Sequence, residues 1–214
     1  MRTRLSRAER EAMFGYVYEN NQWGRSPGGR KYYSDSPPEL TEPYRRYVSA
    51  FIQDHAIRRV VDLGCGDFVL ASEIDMGDAH YTGVDIYPPL IEDDRTRFGD
   101  ERHEFLVRDL VEDELPDGDL CLVSMVLYLM CHADVLAVLP KLQKYRYALI
   151  TDGQAAIAPA ERRNIDKPTG KYTPRDYYDN GFYLELPPFN LNLEVVCEYQ
   201  IPSGEILRTV LIEP

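Results

Sequence analysis

The sequence has no apolar run approaching eighteen residues, so no membrane-spanning helix is expected. Its opening, MRTRLSRAER, is basic but leads into no apolar stretch, and is not expected to act as a secretory signal. Cysteine is scarce. Cys65, Cys121, Cys131 and Cys197 stand far apart, with neither a CxxC pair nor metal-ligand spacing. They read as small buried apolar side chains in a reducing cytoplasm. Bases are outnumbered, 24 Lys and Arg against 36 Asp and Glu, which leaves a formal charge of -12. Binding to duplex DNA draws on basic side chains that neutralise phosphates, so no DNA partner is expected. The nearest approach to a basic patch, Arg45, Arg46, Arg58 and Arg59, reads as a solvated face. A small-molecule partner is the default, for a cytoplasmic monomer or homodimer. Internal repeats and low-complexity tracts are also missing.

What is present suits one globular domain: 214 residues, 44% hydrophobic, enough to bury a core. Ser6 and Glu9 form a capping box, predicting a first helix from Ser6 to about Glu19. Residues 20 to 40 are a connection rich in glycine, proline and serine that carries the only tryptophan, Trp23. A second helix is expected from Thr41, because Tyr44, Tyr47, Val48, Phe51 and Ile52 share one helical face. From residue 59 the pattern becomes short apolar runs between helical segments. Strands are predicted at 59–64, 80–86, 103–109, 119–125 and 147–153, with helices at 68–75 and over most of 134–145. That alternation indicates an α/β, doubly wound Rossmann-like sheet, mostly parallel and covered on both faces. LEVVCEYQ (193–200) and ILRTVLIE (206–213) flank the turn IPSGE, so the chain should end in an antiparallel β-hairpin.

The turn between the first strand and its helix, in VVDLGCGDF (60–68), is where such folds hold a nucleotide-like ligand. NAD calls for GxGxxG, and here the third glycine is replaced by Val69. A pyrophosphate on this turn would also meet Asp67. A cationic amine is the better fit: Asp62 accepts from an ammonium, and Gly64 and Gly66 let the backbone approach closely. The second strand ends in YTGVDI, which places Asp85 where an acid accepts both hydroxyls of an adenosine ribose. The third ends in Asp109 and Leu110, suited to an adenine amine. An amine, a diol and an adenine together describe S-adenosylmethionine.

VVDLGCGDF, YTGVDI, VRDL and DLCLVSMVLYL together resemble the class I S-adenosylmethionine-dependent methyltransferases of small-molecule type, over residues 40 to 214. The resemblance implies that Asp62, Gly64, Cys65 and Gly66 hold the methionine moiety. It puts Asp85 and Ile86 at the ribose, Asp109 and Leu110 at the adenine, and Ser124 where the site closes. It implies methyl transfer to an O or N atom of a small metabolite. Where many relatives carry an Asp and then a His after the fourth strand, this chain has MVLYLM, with Met125 and Leu129 in the two polar positions. His132 is then the candidate general base, its other reading being a helix cap just before Ala133, and Tyr128 is expected to orient the acceptor. Residues 1–38 are expected to form a helix and aromatic lid, with Tyr18 and Trp23 over a methyltransferase domain of residues 39–214. Tyr172, Tyr177 and Phe189 are expected on the opposite wall. Asp152 stands almost alone after the fifth strand, so no metal is expected. A related module without catalysis, and a protein or RNA methyltransferase, are the alternatives.

Overall fold

The computed structural model describes residues 3–26, 29–33, 38–155, 160–171, 181–202 and 204–213. Seven strands form one sheet in the order β3-β2-β1-β4-β5-β7-β6. The first five are β1 (Arg59–Leu63), β2 (His80–Asp85), β3 (His103–Val107), β4 (Leu120–Ser124) and β5 (Tyr147–Gln154), paired in parallel. β6 (Glu194–Gln200) and β7 (Ile206–Ile212) form the expected hairpin, with β7 antiparallel to both β5 and β6. The parallel strands alternate which face each residue covers. Val61, Leu63, Cys121 and Val123 pack into one core, while Val60, Leu120 and Leu122 pack into the other. Two buried faces explain why these strands read as continuous apolar runs.

The helices fill those faces. α1 (Arg7–Glu19) starts at the predicted capping box, where the Ser6 hydroxyl accepts from the Glu9 amide and Glu9 returns the bond. α2 (Pro38–Asp54) begins three residues before Thr41 and buries Tyr44, Val48, Phe51 and Ile52 against the sheet. The helix expected at 68–75 is only one turn, α3 (Val69–Ser72). Phe68 precedes it in the left-handed region, at φ 60°, and provides no side-chain cap, so the turn ends almost as it starts. α4 (Pro88–Phe98) has no counterpart in the sequence reading. α5 (His132–Val138) continues as a 3-10 helix over Leu139–Lys144, with Pro140 at its start. No described helix is long and apolar enough to cross a membrane.

Strand order reverses between β1 and β4, and a crevice opens there beyond the carboxyl ends of the parallel strands. Register brings the strand-end acids together. Leu63 pairs with Val84 and Asp85 with Val107, so Asp62, Asp85 and Asp109 emerge side by side.

Candidate active site

One cavity of about 200 Å³ lies in that crevice. Asp62, Gly64, Cys65, Gly66, Asp85, Ile86, Asp109, Leu110 and Ser124 all line it. The glycine turn is built for close approach. Gly64 sits at φ +80° and Gly66 at φ +58°, and a Cβ on Gly64 would lie 2.4 Å from Val126, another lining residue. Side chains are thus excluded where the backbone meets a ligand.

The acids are buried, and burial disfavours their charged form. It raises the Asp62 pKa to about 7, although the Tyr81 hydroxyl donates to Asp62 at 2.9 Å and opposes the shift. Burial likewise raises Asp85 to about 6, against bonds from the Tyr87 amide at 3.1 Å and the Tyr18 hydroxyl at 3.3 Å. Asp109 is differently placed. Its Oδ2 accepts from Arg10 Nε at 3.1 Å and Nη2 at 2.6 Å, and its Oδ1 accepts from the Val111 amide at 3.0 Å. Asp67 is buried outside the cavity lining.

The loop that carries Asp109 is clamped from two sides. Lys141 Nζ donates to the carbonyls of Leu110, Val111 and Asp113 at 2.9, 2.9 and 2.8 Å. From above, Arg4, Arg7 and Arg10 pair with Asp134, Asp113 and the Asp109–Glu112 pair. Arg10 is fully buried and also donates to the Leu5 carbonyl. Helix α1 therefore roofs the cavity. Arg10, Phe14 and Tyr18, four residues apart, line it from one helix face, with Trp23 beside them. Trp23 packs edge-on to Tyr18 at 5.0 Å and is tilted against Phe14 at 6.4 Å.

Across from this aromatic wall stand Met125, Val126, Tyr128, Leu129 and Met130. Met125 is left-handed at φ 58°, which turns the chain out of β4 and lays this segment over the cavity. Tyr128 is where an acceptor-orienting residue was expected. His132 is not. It opens α5 rather than capping it, and its ring packs edge-on to Phe189 at 5.1 Å, away from the cavity lining. Burial lowers its pKa against the pull of Asp166, and its Nε2 is buried with no hydrogen-bond partner among the described residues. Phe189 is likewise core rather than cavity wall. Tyr172 and Tyr177 lie outside the described residues. Among the described residues no three His, Cys, Asp or Glu side chains group to hold a metal ion.

No family model and no curated protein matches this sequence. Solved structures do match in three dimensions. A Burkholderia thailandensis 1,6-didemethyltoxoflavin-N1-methyltransferase, solved with its acceptor and S-adenosylhomocysteine, aligns over 100% of this chain and 93% of its own, at 15% identity and TM-score 0.60. Human N-acetylserotonin methyltransferase with S-adenosylmethionine aligns over 97% of this chain, at 18% identity and TM-score 0.59. The chain has a methyltransferase fold. It spans only 62% of that human enzyme's length. The N-methyltransferase NodS of Bradyrhizobium japonicum WM9, in complex with S-adenosylhomocysteine, aligns over 84% of this chain and 90% of its own, at 16% identity and TM-score 0.59. The likeness extends to the terminal hairpin of the methyltransferase fold, which here sets β7 antiparallel to β5.

Proposed function

We propose that this protein is an S-adenosylmethionine-dependent methyltransferase acting on an O or N atom of a small molecule. The observation that carries the reading is the meeting of Asp62, Asp85 and Asp109 with the glycine turn in one cavity under an aromatic roof. The donors fit the cofactor. A buried carboxyl at Asp62 meets an ammonium, Asp85 meets a diol, and the Gly64–Gly66 backbone leaves room for the chain between them. When bound, the cofactor supplies a sulfonium methyl group, which is already reactive. The residues of this chain then have three tasks: to align the acceptor, to exclude water and to leave the proton a way out. Phe14, Trp23, Met125, Leu129 and Met130 make an apolar, partly aromatic chamber, which suits a weakly polar acceptor. Tyr128 is the residue we assign to orienting its nucleophile.

Residues 1–38 belong to this reading as a roof that carries part of the site, and residues 39–214 as the domain beneath it. Arg4, Arg7 and Arg10 of the first segment engage acids of the second, so the two are not independent. A second reading, a cofactor-binding module without catalysis, is favoured by one observation: Met125 and Leu129 face the cavity where polar groups were expected. Formation of S-adenosylhomocysteine with a panel of phenol, ring-nitrogen and amine acceptors separates the two. Turnover with any class establishes the enzyme. Cofactor binding without turnover across the panel favours the module.

A further inference from the structure

Helix α1 touches both of the acids assigned to the adenosyl group, and it touches them unequally. A carboxylate offers about four acceptor positions. At Asp109 three are taken, two by Arg10 and one by the Val111 amide, so one stays open for an adenine amine while Arg10 keeps its bonds. At Asp85 the Tyr87 amide takes Oδ1 at 3.1 Å and the Tyr18 hydroxyl takes Oδ2 at 3.3 Å, so each oxygen carries one donor. A diol that bonds to both oxygens therefore contends with the Tyr18 hydroxyl for Oδ2. The Tyr87 amide is fixed by the turn. The Tyr18 bond, at 3.3 Å, is the one made by a side chain, and it is longer than the 3.1 Å bond from Tyr87.

Resting on the reading of this cavity as an adenosyl site, we propose that Tyr18 is a gate on Asp85, displaced by the ribose hydroxyls while Arg10 holds α1 to Asp109 as a pivot. The displaced ring has a defined path of influence. Tyr18 is stacked on Tyr87 at 5.8 Å and packs edge-on to Trp23 at 5.0 Å, and Trp23 lines the same cavity. Occupation of the ribose position therefore reshapes the acceptor wall. Cofactor binds first, and the acceptor chamber is completed by it. Tyr18 acts here as a positioning residue, since it passes the presence of one ligand to the site of the other.

The test titrates the full-length protein calorimetrically with S-adenosylhomocysteine and with its 2′,3′-dideoxy analogue, in the wild type and in Tyr18→Phe. The phenylalanine keeps the ring packing and removes only the hydroxyl. Tyr18→Phe should bind S-adenosylhomocysteine more tightly, by about 2- to 10-fold, the span of one net hydrogen bond. Its affinity for the dideoxy analogue should equal that of the wild type, because no diol contends for Asp85. Trp23, the only tryptophan, reports the movement: its emission should change with S-adenosylhomocysteine and not with the analogue. Unchanged or weaker binding of S-adenosylhomocysteine by Tyr18→Phe, or an equal effect on both ligands, overturns the gate. Absence of S-adenosylhomocysteine binding to the wild type overturns the adenosyl reading itself, and the gate with it.

Discussion

Asp85 and Asp67 are both buried acids beyond the first glycine of the turn, yet only Asp85 lines the cavity. Asp85→Ala removes charge-assisted acceptors of about 1.5–3 kcal/mol per bond, and should weaken S-adenosylhomocysteine binding by an order of magnitude or more in calorimetry. Asp67→Ala should change it far less, and equal losses would mean that the ribose lies elsewhere. His132 was a reasonable candidate from the sequence, as the histidine placed just after β4. The chain instead turns its ring into the core beside Phe189. His132→Ala should therefore keep kcat within about tenfold, short of the roughly 10²–10⁴ that losing a general base costs. Arg10 and Phe14 went unread. Their signal was the four-residue spacing with Tyr18, which is visible in a helix only once its covered face is known. An arginine on such a stripe reads as solvent-facing until a buried carboxylate partner is identified.

At the scale of elements, α1 is held by ion pairs whose partners lie some hundred residues later, at Asp109, Asp113 and Asp134. Arg10→Ala strands Asp109 as a buried charge, while Asp134 keeps Arg4, a defect of about 3–5 kcal/mol, measurable as a lower denaturant midpoint. A midpoint equal to wild type would show that α1 is an appendage. α4 was missed for a different reason. It opens on Pro88–Pro89 and then buries only Leu90, Ile91 and Asp94, so its apolar stripe is too short to show a period. Asp94 is the cost of that packing. Burial, and repulsion from Asp67, Asp85 and Asp93, raise its pKa to about 8 despite Arg30, and its Oδ2 lacks a hydrogen-bond partner among the described residues. The folded state holds this proton above the pH at which the unfolded chain loses it. Its contribution to stability therefore falls as pH rises from about 4 toward 8. Asp94→Asn, which mimics the protonated form, should flatten the fall of Tm between pH 6 and pH 8. An unchanged slope would remove Asp94 from the pH dependence.

For the whole molecule, the parallel sheet, its hairpin and the line of strand-end acids were legible because each rests on local pattern: continuous apolar strands, a glycine turn, an acid at a fixed distance. What was not legible is what crosses the chain, namely the ion pairs that hold α1 over the cavity, the clamp of Lys141 on the loop after β3, and the burial that sets the charge of the acids. The central claim is that these parts together form an adenosyl site without a place for pyrophosphate. Calorimetric titration of the wild-type protein with S-adenosylhomocysteine and, separately, with NAD tests it most directly. Saturable binding of S-adenosylhomocysteine with only heat of dilution from NAD is the expected result; saturable NAD binding with no response to S-adenosylhomocysteine would contradict the adenosyl assignment.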